Sequence, residues 1–315
     1  MIYLLIFVSL LVSELAYFRI ADYFNIIDKP NERSSHTSIT LRGGGVIFYM
    51  GVLLYFLLEG FQYPWFFAGL TLISFVSFAD DVRPQSFKLR LAVHFTAMAL
   101  MFYQWGLFSD PWYFTIIALV VCTGILNAYN FMDGINGITG GYSLVVVSAL
   151  WYINRYQVLF VDTKFLYVLL LALIVFLFFN FRTKAKCFAG DVGAISMSFI
   201  LVFLLGKLII KTGDYSYLVL LAVYGVDTIL TIVHRIILKE NIFEAHRKHL
   251  FQIMANELNI PHVVVSTIYM ALQALIAVGL FVFFNHKWLF VIFICVSLSV
   301  VYLLVKMKYY KLHKT

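Results

Sequence analysis

The stretch Phe165-Leu-Tyr-Val-Leu-Leu-Leu-Ala-Leu-Ile-Val-Phe-Leu-Phe-Phe179, followed at once by Asn180-Phe-Arg-Thr-Lys-Ala-Lys-Cys-Phe-Ala-Gly-Asp191, decides the fold. The first part carries no charge and, with its flanks at 164 and 180, approaches the roughly 20 mostly apolar residues that a helix needs to cross a bilayer. The second part is short, basic and closed by a Gly-Asp turn, and another apolar run over 192–211 follows it. The pattern is that of two membrane-spanning helices joined by a polar hairpin loop.

Working outward with the same ruler gives spans near 2–20, 44–59, 64–79, 89–106, 112–130, 138–154, 164–180, 192–211, 215–235, 262–284 and 287–306. The expectation is therefore an all-α, polytopic transmembrane bundle of about 10–11 helices, with residues 1–315 forming a single integral membrane domain. Composition agrees, because a chain of 315 residues with 63% hydrophobic and 12% charged residues lacks the polar surface to cover a water-soluble globule. The loops are too short to hold a soluble domain with its own core. The first apolar run has neither a basic leader nor a small-residue cleavage signal, and reads as the first spanning helix.

Lys and Arg give an independent check, since short loops rich in them stay in the cytoplasm. Residues 19–42, 83–90, 182–186, 235–248 and 306–314 hold 18 of the 23, all on one face of an eleven-helix path. That path puts the N-terminus outside and the C-terminus in the cytoplasm. A net charge of +7 points in this setting to lipid headgroups and anionic substrates, and nucleic acid is not an expected partner. Cys122, Cys187 and Cys295 are widely spaced and suggest neither a disulfide framework nor a thiolate metal site.

Five polar segments map to the same face: Asp28 to His36 running on to Gly43-Gly-Gly45, Asp80-Asp81, Asn127 to Gly137, Gly190-Asp-Val-Gly193, and His246-Arg-Lys-His249. Their convergence suggests one site. Asp80, Asp81 and Asp133 follow helices, where the macrodipole is already negative, so a cation is wanted nearby. For any one aspartate, capping the next helix or sitting in headgroup water is an equally good account, and Asp191 after Gly190 suits an N-cap. Three or four carboxylates with amide oxygens and no Cys suit a hard cation such as Mg²⁺, with Mn²⁺ as the alternative, bound together with phosphate and water.

Asn127-Ala-Tyr-Asn130-Phe-Met-Asp133-Gly134-Ile-Asn136-Gly137 is the most specific string, because Asn127, Asn130 and Asp133 share one helical stripe if the helix persists. Lys88, Arg90, Arg182, Lys184 and Lys186 satisfy the charge bias, and Lys88 and Arg90 are the candidates for clamping phosphate. His246 and His249 with Arg247 suit phosphate contact better than zinc, having no third ligand. Asp227 and Glu14 lie inside spans, where a buried charge is suspect by default, but the sequence assigns them no role.

In these motifs the chain resembles the polyprenyl-phosphate N-acetylhexosamine-1-phosphate transferase family, in the branch that initiates O-antigen and capsule. The resemblance runs from Asp28 to His249 and includes the Phe-x-Gly-Asp turn at Phe188 to Asp191. It implies that undecaprenyl phosphate attacks the β-phosphorus of a UDP-N-acetylhexosamine, or a 6-deoxy relative, with Mg²⁺ present and UMP released. It implies a multi-pass protein of the bacterial inner membrane with its site on the cytoplasmic face.

Carried over by motif position, Asp191 leads the metal ligands with Asn130 and Asp133 beside it, and Asn127 and Asn136 join the substrate contacts. Phe188 stacks on uracil, and Asp80 and Asp81 sit by the lipid phosphate, with Asp80 the candidate base. Arg42, His246, Arg247 and His249 complete the set. Two departures stand out: Asn136 where the family often has Asp, and Ile39-Thr-Leu-Arg42 where it commonly has Pro-Thr-Pro-Arg, which weakens roles for Arg33, His36 and Arg42. A lipid acceptor's dianionic phosphate needs little help from a base, so positioning and charge neutralisation should dominate.

The rival classes are a transporter of nucleotide sugars or phosphorylated lipids and a receptor with a relic site. Transporters place binding residues near the midplane between repeats, whereas these motifs sit at helix ends. The apolar helix faces suit lipid or a second copy of the chain, as in a homodimer, equally well.

Overall fold

A computed structural model describes residues 1–30, 35, 38–241 and 247–309. Among them are eleven helices of fourteen residues or more: α1 (Ile2–Tyr23), α2 (Val46–Glu59), α3 (Pro64–Val82), α4 (Phe87–Trp105), α5 (Trp112–Met132), α6 (Ile138–Tyr156), α7 (Thr163–Asn180), α8 (Gly190–Thr212), α9 (Ala222–Ile237), α10 (His262–Val282) and α11 (Lys287–Tyr309). Each falls on one of the eleven apolar runs. Eight stretches are long and apolar enough to cross a membrane, and α2, α4 and α6, shorter or richer in polar residues, complete a polytopic helical bundle.

The helix ends follow local chemistry. Ser86 accepts from the Leu89 amide at the start of α4 and Asp162 from the Lys164 amide at the start of α7, while Gly106 and Gly213 close α4 and α8 in the left-handed region. Helix α8 is the axis of the fold, packed by α2, α3, α4, α5 and α6 and buried along most of its length. Small residues permit this: the hydroxyls of Ser196 and Ser198 donate to the carbonyls of Val192 and Ile195, so no polar group is stranded among apolar neighbours. By contrast α11 lies at the periphery, exposing Trp288, Leu289, Ile292, Phe293 and Val296 as a lipid-facing helix should.

Two local features differ from the sequence reading. The ninth run is a 3₁₀ segment (Tyr215–Leu221) leading into α9. The break in the hydrogen-bond ladder is repaired by Gln273 of α10, which donates to the Val219 carbonyl at 3.2 Å and accepts from the Val223 amide at 3.4 Å. In addition, the loop after α1 forms a small antiparallel ribbon of β1 (Ile27–Asp28) and β2 (Thr40–Leu41). No alternation of apolar and polar residues announces a pair that short.

Candidate active site

The glycine loop and the Gly-Asp turn form one unit. Phe188 donates its amide to Leu41 at 2.8 Å, Gly44 donates to Phe188 at 2.9 Å and Gly45 to Ala189 at 3.0 Å. The backbones of Gly45 and Gly193 touch so closely that a Cβ on Gly45 would come within 2.2 Å of the Gly193 Cα. Gly190 has φ +71°, and a Cβ there would meet the Asp81 carboxylate at 2.6 Å. These glycines let two loops distant in sequence merge beneath the N-terminus of α8.

Asp81 is the keystone of that junction. Its Oδ1 accepts from the Asp191 amide at 2.9 Å and its Oδ2 from the Val192 amide at 3.0 Å, so a residue of α3 caps α8 across space. The capping role that Asp191 could have filled therefore belongs to Asp81, and these two amides are engaged by protein rather than open to a phosphate. Arg42 completes the arrangement: its Nε lies 2.6 Å from Asp81 Oδ1 and its Nη2 3.2 Å from Asp191 Oδ2. The Asp81 side chain is fully buried, whereas that of Asp191 is one quarter exposed. Burial alone would lower the Arg42 pKa, but Asp81, Asp191 and Asp28 raise it, so the guanidinium stays charged.

Asp80 faces the same space. Its Oδ1 accepts from the Gln85 amide at 2.6 Å, its Oδ2 pairs with Arg90 Nη1 at 3.1 Å, and its negative charge is felt by Asp191. The two sides that the sequence reading kept apart, Asp80-Asp81 and Asp191, are thus one contiguous cluster bridged by Arg42. Lys88, two residues before Arg90, is exposed at the start of α4.

Helix α5 stops at Met132, and Asp133 follows it with its amide on the Tyr129 carbonyl. Asn127 is exposed and Asn130 half-buried on the last turns. Asp133 accepts from the Thr139 hydroxyl at 2.6 Å and is close enough to feel the charges of Asp81, Arg42 and Asp28. Burial pushes its pKa up to about 6, with the Thr139 hydrogen bond opposing.

Asn136 acts as a clasp. Its Nδ2 donates to the carbonyls of Arg182 at 2.8 Å and Thr183 at 3.2 Å, and its own carbonyl accepts from Ser266. Gly137 beside it donates its amide to Asn180 Oδ1, and Asn180 Nδ2 donates to the Cys187 carbonyl. The loop carrying Asp133 is tied in this way to the loop carrying Phe188, which is half-buried ahead of Asp191.

The last motif reaches the others through Phe251, whose ring edge fills the space above Gly134. His246 lies outside the described residues, as do Arg33 and His36, while Arg247 is half-buried and His249 buried. His249 Nδ1 is 3.3 Å from Asp227 Oδ1, and the same carboxylate accepts from the Leu250 amide at 3.0 Å, Tyr269 at 2.7 Å and Thr231 at 3.2 Å. Asp227, suspect in the sequence but without a role, anchors the histidine loop.

Sequence reasoning gave no function to three further residues. Glu14 is buried in α1 and accepts from the Cys187 thiol at 3.6 Å beneath Gly44. Tyr17 donates to the Arg42 carbonyl at 2.5 Å, and Asn180 bridges two loops as described. An acid within a span was a visible signal for Glu14. Nothing local distinguished Tyr17 or Asn180.

Residues 63–209 match the family described as Glycosyl transferase family 4. A probable undecaprenyl-phosphate N-acetylglucosaminyl 1-phosphate transferase of Bacillus subtilis is 27% identical over 74% of this chain and 70% of its own length. The undecaprenyl-phosphate alpha-N-acetylglucosaminyl 1-phosphate transferase of Yersinia pestis is 26% identical over 59% of this chain, a match that spans 56% of that protein. A phospho-N-acetylmuramoyl-pentapeptide-transferase of Listeria welshimeri is 28% identical over 54% of this chain and 60% of its own length. A polytopic bundle with its carboxylates gathered at one end is thus similar, over α3 to α8, to the family described as Glycosyl transferase family 4, and along more of its length to undecaprenyl-phosphate N-acetylglucosaminyl 1-phosphate transferases.

Proposed function

We propose that this protein transfers N-acetylhexosamine-1-phosphate, or a 6-deoxy derivative, from a UDP-sugar to undecaprenyl phosphate with release of UMP. The observation that carries the reading is the pair of Asp81 and Asp191 on Arg42, with Asp80 on Arg90 and Asp133 close by, at one end of the bundle. The placement is the bacterial inner membrane with this end in the cytoplasm, the N-terminus outside, and the product serving as the first lipid-linked sugar of a surface polysaccharide or O-antigen. Support for the orientation comes from the Lys and Arg bias.

The donor set fits Mg²⁺. Among the described residues no three His, Cys, Asp or Glu side chains form a closed metal cage. Mg²⁺ ordinarily takes one or two carboxylates and fills its octahedron with phosphate and water, and Asp191 and Asp80 offer two adjoining hard donors. Asp133 and Asn130 are the further candidates on the nucleotide side. When bound, such a cation would neutralise the diphosphate and the charge of the leaving UMP.

The chain's own residues supply the remainder. Arg42 and Arg90 place positive charge beside Asp191 and Asp80, where two phosphorylated substrates must approach one another. Asp81 orients α8 so that Asp191 faces the open space, and Asn136 fixes the relation of the nucleotide loop to Phe188, the candidate uracil contact. The lipid phosphate is dianionic at neutral pH, so attack requires alignment more than proton removal, and Asp80 as base is a secondary assignment.

Purified protein given UDP-GlcNAc, Mg²⁺ and undecaprenyl phosphate should release UMP and form a lipid-linked sugar diphosphate. Uptake of the labelled donor into liposomes without UMP release would overturn the reading in favour of transport. A panel of UDP-GlcNAc, UDP-GalNAc and 6-deoxy donors identifies the sugar.

A further inference from the structure

Arg42 is held rigidly at one end and loosely at the other. Its amide donates to the Ile26 carbonyl at 3.0 Å and its carbonyl accepts from Tyr17, so the backbone is fixed by β1, β2 and α1. Its Nε contacts the buried Asp81 carboxylate at 2.6 Å, where both oxygens also receive α8 amides. Its Nη2 makes the longer 3.2 Å contact to Asp191, on the exposed side. The buried half cannot leave without taking the counter-charge from a buried carboxylate, whereas the outer half can.

The outer contact matters because Asp191 crowds against a second carboxyl, Asp80, and needs a positive neighbour. Asp28 and Asp81 also face Arg42, and Arg90 faces Asp80. The guanidinium therefore sits on the Asp191 carboxylate, which the proposed divalent cation would also need as a ligand. The two positive charges compete for it.

We propose that Arg42 is a built-in, exchangeable counter-cation. Its Nη2 neutralises Asp191 when the site lacks a divalent cation. It swings on the Asp81 anchor when the cation binds, so that its released N–H groups point at an anionic oxygen of the nucleoside diphosphate. Cation and diphosphate then help one another to bind, since each favours the swung-out guanidinium. This rests on the reading of the site as one that binds a divalent cation with a diphosphate.

The test is Mn²⁺ binding to full-length protein in detergent, followed by electron paramagnetic resonance with and without UDP. Arg42→Gln should bind Mn²⁺ more tightly than the wild type in the absence of UDP, by at least about fivefold. UDP should then raise its Mn²⁺ affinity by a smaller factor than in the wild type. Arg42→Lys, which keeps the charge but cannot span both carboxylates, should fall between the two and serves if the glutamine variant does not fold. Equal or weaker Mn²⁺ binding in both variants overturns the exchange while leaving the metal assignment in place. Absence of Mn²⁺ binding in wild type and variants alike overturns both.

Discussion

Asp81 and Asp227 on one side and Asp191 on the other show how one side-chain type meets two fates. Asp81 receives two backbone amides and a guanidinium, and Asp227 receives an amide, an imidazole and two hydroxyls. Both are buried and saturated by protein donors, so they are spent on architecture. Asp191 has one ion pair, a like-charged neighbour and an exposed edge. A carboxylate left in that condition is available to a ligand, whereas a saturated one is not.

Replacing each in turn should separate them. Asp81→Ala removes the cap of α8 and strands Arg42, and the loss of a buried partner costs about 3–5 kcal/mol. Thermal unfolding in detergent should show it whether or not substrate is present. Asp191→Asn should do the reverse, lowering UMP release by about 100-fold or more and changing stability by no more than about 1 kcal/mol. If Asp191→Asn unfolded as readily as Asp81→Ala, the contrast would break.

Asp227→Asn should be intermediate, because an amide keeps the shape but loses the charge paired with His249. About 1–3 kcal/mol of stability is at stake, with proteolysis near 250 as a local readout. Asp133 offers a pH-dependent effect in protein stripped of divalent cations. Burial raises its folded pKa from 3.8 to about 6. Stability from its neutral form is full below 3.8 and declines as pH rises towards 6, since the unfolded chain ionises first. Asp133→Asn should flatten that decline over this window, and an unchanged curve would show that another group sets it. The smallest effect belongs to Arg90→Ala: its pair with Asp80 is half-exposed on the arginine side, so unfolding should shift by under about 1 kcal/mol.

Much of this was legible in the chain. Every long helix sits on a run that hydropathy marks, and the described parts of the polar segments lie in loops that contact one another at one end of the bundle. The exceptions share a cause. The ribbon of β1 and β2 exists because Leu41 docks on Cys187, and the 3₁₀ turn before α9 exists because Gln273 repairs it. Each depends on a partner far away in sequence, which no local pattern reveals. Asn136 illustrates the same limit: the motif suggests a ligand contact, whereas its amide is committed to two carbonyls across the site.

The sequence by itself determined that this chain crosses a membrane many times, because the burial of apolar runs is a property of local composition. It also supplied the motif set that carries the family resemblance. Only the tertiary structure decided which aspartate caps α8, which anchors the histidine loop and which is left open beside Arg42. A carboxylate's role is set by how many donors reach it, and those donors arrive from helices that meet only after the bundle has packed.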